Sequence, residues 1–263
     1  MKRLYFWFAL IAVFGLVLAA CGGAGGNTHL DKVKQAGLIK VGTSADYPPF
    51  EYVDENGNKA GFDIELMEEI AKQLGVKVEW VDMPFDSLIA GVQEGKLDAS
   101  ISAFNYTEER DQVVDFSIAY YDGEDAFAVS EGFSGTLAQP EDVVAYKVGV
   151  QNGTTQDGWL TELVEQGLLP EANLSRYDRA DQAALDLKNG RIEVMLADAI
   201  PMKALVQQLG GLKIAYEGVV SSGPINVVLP NGDTELTQAV NDIIKKLQAE
   251  GFVDALAIKH FGQ

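Results

Sequence analysis

This chain of 263 residues has a single cysteine, Cys21, and only two histidines, His29 and His260. A lone cysteine forms no internal disulfide, so the fold has to be held by its core. Two distant histidines leave no zinc-ligand spacing and no base for a serine triad, and no G-x-S-x-G is present. G-V-Q-N-G-T-T (Gly149 to Thr155) is a glycine loop without the lysine of a phosphate-binding loop, so it reads as backbone and hydroxyl donors for a small anionic group. Asp54, Asn56 and Asn58 alternate as calcium ligands do, but Lys59 stands where that loop needs glycine, and no metal or cofactor is expected. Positive charge is scarce as well. With 20 Lys and Arg against 39 Asp and Glu, the net charge of −19 argues against nucleic acid and anionic lipid surfaces as partners.

What is present suffices for a large core: 47 % of residues are hydrophobic, enough for one large domain or two modest ones. The N-terminus carries Lys2 and Arg3, an unbroken apolar run from Leu4 to Ala20, and L-A-A-C (Leu18 to Cys21). A positive start and a short apolar stretch read as an export signal over residues 1–20, and the tetrapeptide resembles a bacterial lipobox, with Cys21 lipidated after cleavage before it. A plain signal peptide or a membrane helix is the other reading of the same run. Residues 21–36 then form the lipidated cysteine and a tether, glycine-rich from Gly22 and including His29.

Along the chain, helical and strand periodicities alternate. Leu30 to Gly37 reads as a short helix and Leu38 to Thr43 as the first strand. Tyr47-Pro48-Pro49-Phe50 is an extended loop fixed by its prolines, and a hairpin turns at D-E-N-G-N. Asp63 is placed to cap a helix with Ile64, Met67, Ile70, Ala71 and Leu74 on one face. A strand, a helix and the strand Leu97 to Ile101 complete a first β-α-β-α-β unit. From Asp125 the pattern restarts. K-V-G-T (Lys40 to Thr43) is echoed by K-V-G-V (Lys147 to Val150), and E-G-K-L-D (Glu94 to Asp98) by N-G-R-I-E (Asn189 to Glu193), in the same order. Two similar α/β lobes account for the echo, although two unrelated α/β units can share such patterns by chance.

The most informative stretch is S-A-F-N-Y-T-E-E-R-D-Q-V-V-D-F-S, Ser102 to Ser117. A strand end delivers Ser102, Ala103 and Asn105, then Thr107 is placed to N-cap a short helix bearing Arg110. Helix-start N–H groups and a guanidinium converge on one spot, which suits a carboxylate. Together with G-T-S-A-D-Y-P-P-F-E, G-F-D-I-E-L, F-D-S-L-I, V-G-V-Q-N-G-T-T and N-G-R-I-E-V-M-L-A-D, this stretch resembles the family 3 extracellular solute-binding proteins, which serve amino-acid ABC transporters.

The resemblance implies a two-lobed periplasmic-binding-protein fold of type II, each lobe a mixed β-sheet flanked by helices, with the ligand in the cleft. Lobe one would comprise residues 37–122 and 224–263 and lobe two residues 123–223, with hinge crossings near Tyr121 to Ala126 and Val219 to Pro224. It implies an extracytoplasmic, lipid-anchored monomer, periplasmic or on the cell surface, that closes on a free amino acid and delivers it to an ABC permease. The implied ligand-binding residues are Ser44, Tyr47, Glu51, Phe85, Ser102, Ala103, Asn105, Arg110, Gln151, Thr154, Thr155 and Asp198. Arg110 would take the α-carboxylate and Asp198 the α-ammonium, with Tyr47 and Phe85 stacking on the side chain. Structural alternatives exist for each. Arg110 can make a surface ion pair, Asp198 can cap the helix that follows, and Phe50, Phe85 and Phe104 can be core residues. Basic-amino-acid binders of the family often carry an acid where Ser44 stands. Here Asp46 and Glu51 are nearby instead, and Asn105 and Gln156 add amides, so a polar ligand is expected, arginine or lysine ahead of glutamine and aliphatic amino acids last. Two other functions fit the same fold: an enzyme similar to cyclohexadienyl dehydratase, and a module that senses a ligand for a membrane receptor.

Overall fold

The computed structural model describes residues 28–262; the expected export signal, Cys21 and the glycine-rich stretch after it lie outside them. The first described element is a helix, His29–Ala36, started by a capping box between Thr28 and Asp31 and ended by Gly37 in the left-handed region at φ 67°. Expected in the tether, His29 instead docks this helix on the globule. Its ring nitrogens each lie 2.7 Å from a carboxylate, Asp233 on one side and Asp98 on the other.

Then follow β1 (Leu38–Thr43), the short β2 (Asp46–Tyr47), β3 (Glu51–Val53) and β4 (Lys59–Ala60), the helix Phe62–Leu74, β5 (Lys77–Asp82), the helix Phe85–Gln93 and β6 (Ala99–Asn105). After a helical turn at Glu108–Asp111 come β7 (Val114–Phe116) and β8 (Tyr121–Asp122). Crossing into a second sheet, the chain forms β9 (Asp125–Ser130), β10 (Val148–Gln151), β11 (Leu174–Tyr177), β12 (Val194–Asp198) and β13 (Leu212–Gly218), with helices Thr155–Glu165, Ala180–Lys188 and Ala199–Leu209 between them. It returns in β14 (Pro224–Pro230) and ends in the helices Thr234–Ala249 and Phe252–Phe261. The first sheet runs β5-β1-β6-β14-β7 with β8 on β14, and the second β11-β10-β12-β9-β13. In each, a parallel trio is extended by an antiparallel strand. The two crossings lie side by side, Gly123 N–H donating to the Gly223 carbonyl at 2.9 Å.

The sequence echo has an atomic cause. Gly42 on β1 leaves room for Leu97, whose Cδ1 would lie 2.5 Å from a Cβ there, and Gly149 on β10 does the same for Ile192 at 2.2 Å. Lys40 N–H donates to the Asp98 carboxylate at 2.8 Å, as Lys147 N–H does to Glu193 at 3.0 Å. Each lobe thus repeats one device, a strand glycine into which the aliphatic residue of the next strand's lead-in packs, followed by an acid that ties the two strand starts together.

One local expectation is corrected. Asp63 does not cap its helix: Gly61 holds the cap position at φ 129°, and a Cβ there would lie 2.2 Å from the Phe50 carbonyl oxygen. Asp63 turns inward instead, fully buried, where it accepts from Ala103 N–H at 2.7 Å and from the Tyr120 hydroxyl. The D-E-N-G-N turn is held by Asp54, which accepts from the N–H groups of Asn56 and Asn58. The C-terminal helix seals the first lobe through Phe261, whose ring lies 4.8 Å from Phe50 and 4.9 Å from Phe62.

Candidate ligand-binding site

Between the two sheets lies a narrow cavity, and all twelve candidate residues line it, joined by Gln156. The first lobe contributes Ser44, Tyr47, Glu51, Phe85, Ser102, Ala103, Asn105 and Arg110; the second contributes Gln151, Thr154, Thr155, Gln156 and Asp198.

Arg110 is placed as its sequence context implies. Thr107 accepts from Arg110 N–H at 3.1 Å, starting the turn that carries it. Its guanidinium donates to the Asn105 carbonyl at 2.7 Å in its own lobe and to the Gly153 carbonyl at 2.8 Å in the other. The stacked rings of Phe85 and Phe104, 4.6 Å apart, each lie 5.7 Å from the guanidinium carbon. No carboxylate pairs with Arg110 in any ion pair of the described residues; burial lowers its pKa to about 10, so it stays charged and keeps donors for an incoming anion. Across the cleft, Thr154 caps the helix Thr155–Glu165 by accepting from Asp157 N–H at 3.1 Å, and Thr155 donates to Asn105 Oδ1 at 3.2 Å. Thr154 and Thr155 at that helix start both line the cavity, and a helix start adds to the preference for an anion.

Asp198 occupies the N-cap position of the helix Ala199–Leu209, but its side chain does not cap it. The carboxylate accepts from the Tyr47 hydroxyl at 2.8 Å and from Gln156 at 3.1 Å, as well as from Ser222. Burial raises its pKa to about 6, partly offset by these donors. Gln156 is therefore committed to the framework, its amide nitrogen also reaching Asp125 at 2.8 Å, and it does not offer the free amide expected from the sequence.

The two acids flanking the proline loop have different fates. Asp46 is not among the residues lining the cavity. Glu51 lines it and is 1 % exposed. Glu51 Oε1 accepts from Ser102 at 2.6 Å, while Oε2 has no hydrogen-bond partner. Burial and the neighbouring Asp63 carboxylate push Glu51 well above the usual carboxylate range. Protonated, Glu51 can give its hydroxyl to the adjacent Asp63 carboxylate; ionised, Oε2 needs a donor that the described residues do not supply. Ser44 and Ala103 are also engaged, Ser44 N–H with Ser102 Oγ at 3.1 Å and Ala103 N–H with Asp63, so they shape the wall.

One residue escaped the sequence reading. Asp125, fully buried at the start of β9, accepts the N–H groups of Val220, Ser221 and Ser222 at 2.7 to 2.9 Å, anchoring the second crossing beneath Asp198. The partners are nearly a hundred positions apart, and no local motif announces the contact.

Two sheets joined by two crossings, with a polar cavity between them whose charges sit on opposite walls, define a bilobal solute-binding protein. The chain belongs to the bacterial extracellular solute-binding proteins, family 3, whose model matches residues 39–263. The L-cystine-binding protein TcyJ of Escherichia coli is 32 % identical over 233 residues, covering 89 % of this chain and 86 % of that protein. The L-arginine-binding protein of Pseudomonas aeruginosa is 31 % identical, covering 85 % and 87 %. Among solved structures, a mutant of ArgBP from T. maritima superposes with a TM-score of 0.82 at 38 % identity over 89 % of this chain and 99 % of its own. These relatives are binding proteins, and among the described residues no helix is long and apolar enough to cross a membrane.

Proposed function

We propose that this protein captures a free amino acid with a cationic side chain, arginine ahead of lysine and both ahead of glutamine, and delivers it to an ABC permease by closing its lobes. The α-carboxylate pairs with Arg110, assisted by the helix start at Thr155, and the α-ammonium with Asp198. A zwitterion is costly to desolvate unless each charge meets a partner, and these partners stand on different lobes. The ligand therefore favours the closed form by differential affinity. The observation that carries the choice of side chain is Glu51, a buried carboxyl that lines the cavity and whose Oε2 accepts no hydrogen bond among the described residues. A guanidinium or ammonium supplies a donor together with the opposite charge. The relatives named for arginine support the reading. The relatives are named for what they bind, which favours capture of an amino acid over its elimination.

The export signal and L-A-A-C support secretion with attachment through lipidated Cys21, and the division into lobes 37–122 with 224–263 and 123–223 follows the two sheets. A thermal-shift screen of the twenty amino acids tests the ligand. At 100 times its dissociation constant a ligand stabilises by about 2.7 kcal/mol, so L-arginine should give a large shift and L-leucine little; equal shifts would remove the cationic assignment.

A further inference from the structure

Asp46 is 6 % exposed and does not line the ligand cavity; it bonds across to the other lobe. Its Oδ2 accepts from the N–H of Ala180, the first residue of the helix Ala180–Lys188, and from Gln151 Nε2 at 3.3 Å. That helix has no side-chain cap of its own, since Arg179 holds the cap position without a capping bond. The first lobe thus caps a helix of the second, where a carboxylate is favoured by the aligned peptide dipoles. Arg179 completes the arrangement. Its Nη1 lies 3.5 Å from Asp46 Oδ1, 2.9 Å from Asp82 Oδ1 and 3.4 Å from Ser44 Oγ, all in the first lobe. Each of these bonds crosses the cleft, and none of Asp46, Asp82 and Arg179 lines the cavity. Two carboxylates against one guanidinium and a helix start cannot be satisfied in this way once the lobes part.

We propose that Asp46 is a positioning residue for closure: with Asp82 it clasps Arg179 and the Ala180 helix start of the other lobe, beside the ligand, holding the lobes shut and slowing ligand release without touching the ligand. A protein whose closed form is populated only in part binds with an affinity reduced by that fraction, so weakening the clasp acts on affinity through the conformational equilibrium.

The test is a comparison at pH 8 of the full chain with Asp46→Ala, Arg179→Ala and the double variant, each checked for a retained melting transition. In small-angle scattering of the unliganded proteins, both single variants should be more open than wild type. With L-arginine as the probe, stopped-flow fluorescence should show dissociation faster by about tenfold with little change in association. The double variant should fall short of the sum of the two single effects, because the Arg179–Asp46 pair is lost in both while Arg179–Asp82 and Asp46–Ala180 are each lost once. Asp46→Asn, which keeps an oxygen for Ala180 N–H but gives Arg179 no charge, should fall between wild type and Asp46→Ala. Unchanged scattering and release rates, or strictly additive effects, overturn the clasp. The scattering comparison needs no ligand, so failure of L-arginine to bind wild type would count against the ligand reading while the clasp is still decided.

Discussion

Replacing Glu51 by glutamine separates the cost of the ligand site from its use. In the unliganded protein the Glu51 carboxyl is buried, with Ser102 donating to one oxygen and nothing donating to the other, and with Asp63 beside it. An amide of the same shape removes the buried charge and offers N–H groups where the acid, when protonated, offers its hydroxyl. Relief of an unsatisfied buried acceptor is worth about 1–3 kcal/mol, which for a chain of this size raises the melting temperature by several degrees. Binding moves in the opposite direction. Losing a hydrogen bond to a charged group costs about 1.5–3 kcal/mol, so the dissociation constant for L-arginine should rise about 10- to 150-fold, and that for L-glutamine much less. Calorimetry with both ligands, beside a thermal melt of the unliganded variant, reads both signs. Equal weakening of the two ligands, or a variant that is less stable and still binds arginine as wild type does, would refute the role given to Glu51.

The pH dependence of stability carries a definite sign. Asp46 and Asp198 have folded-state pKa values raised by burial to about 6 from the ordinary 3.8, Asp46 in spite of Arg179 and with Asp181 adding to the rise. Groups raised in this way hold their protons more tightly folded than unfolded, so they favour the fold where protonated and lose that contribution as pH climbs from about 4 to about 6, on the order of 2–3 kcal/mol each. The unliganded protein should therefore melt higher at pH 5 than at pH 8; a profile flat or rising over that range contradicts the assignment. Gly61→Ala should lower the melting temperature sharply, since its left-handed φ of 129° and the Phe50 carbonyl leave no room for a Cβ, and a variant as stable as wild type would discount that strain. Cys21→Ser should leave the protein in the soluble or unprocessed fraction; a wild-type protein that takes up no fatty-acid analogue in cells would rule out lipidation.

Much of this architecture is legible from spacing because it is local. Gly75 ends its helix in the left-handed region, and Thr107 caps the turn bearing Arg110, each within a few residues of the signal that announces it. The echo of K-V-G with G-K-L-D and G-R-I-E is visible because each lobe needs a glycine opposite Leu97 or Ile192. What stays hidden has weak or misleading local signals. β11 is four residues long at a sheet edge with one buried side chain. In the site, motif positions place Arg110, Asp198 and Glu51 in one cavity. They do not distinguish Glu51, which faces the cavity, from Asp46, which caps a helix of the other lobe. That difference depends on contacts between residues more than a hundred positions apart, such as Asp46 with Ala180.

A ligand held between Arg110 of one lobe and Asp198 of the other is tested most directly by titration calorimetry of wild type and Arg110→Ala with L-arginine. Wild type should bind with a dissociation constant in the micromolar range or below, about 8 kcal/mol or more. Arg110→Ala should show no measurable heat of binding while melting cooperatively near the wild-type temperature, because its bond to the Gly153 carbonyl is exposed and that to Asn105 only partly buried, so water can replace the guanidinium. Wild-type affinity in Arg110→Ala would contradict the charge-bridging mechanism.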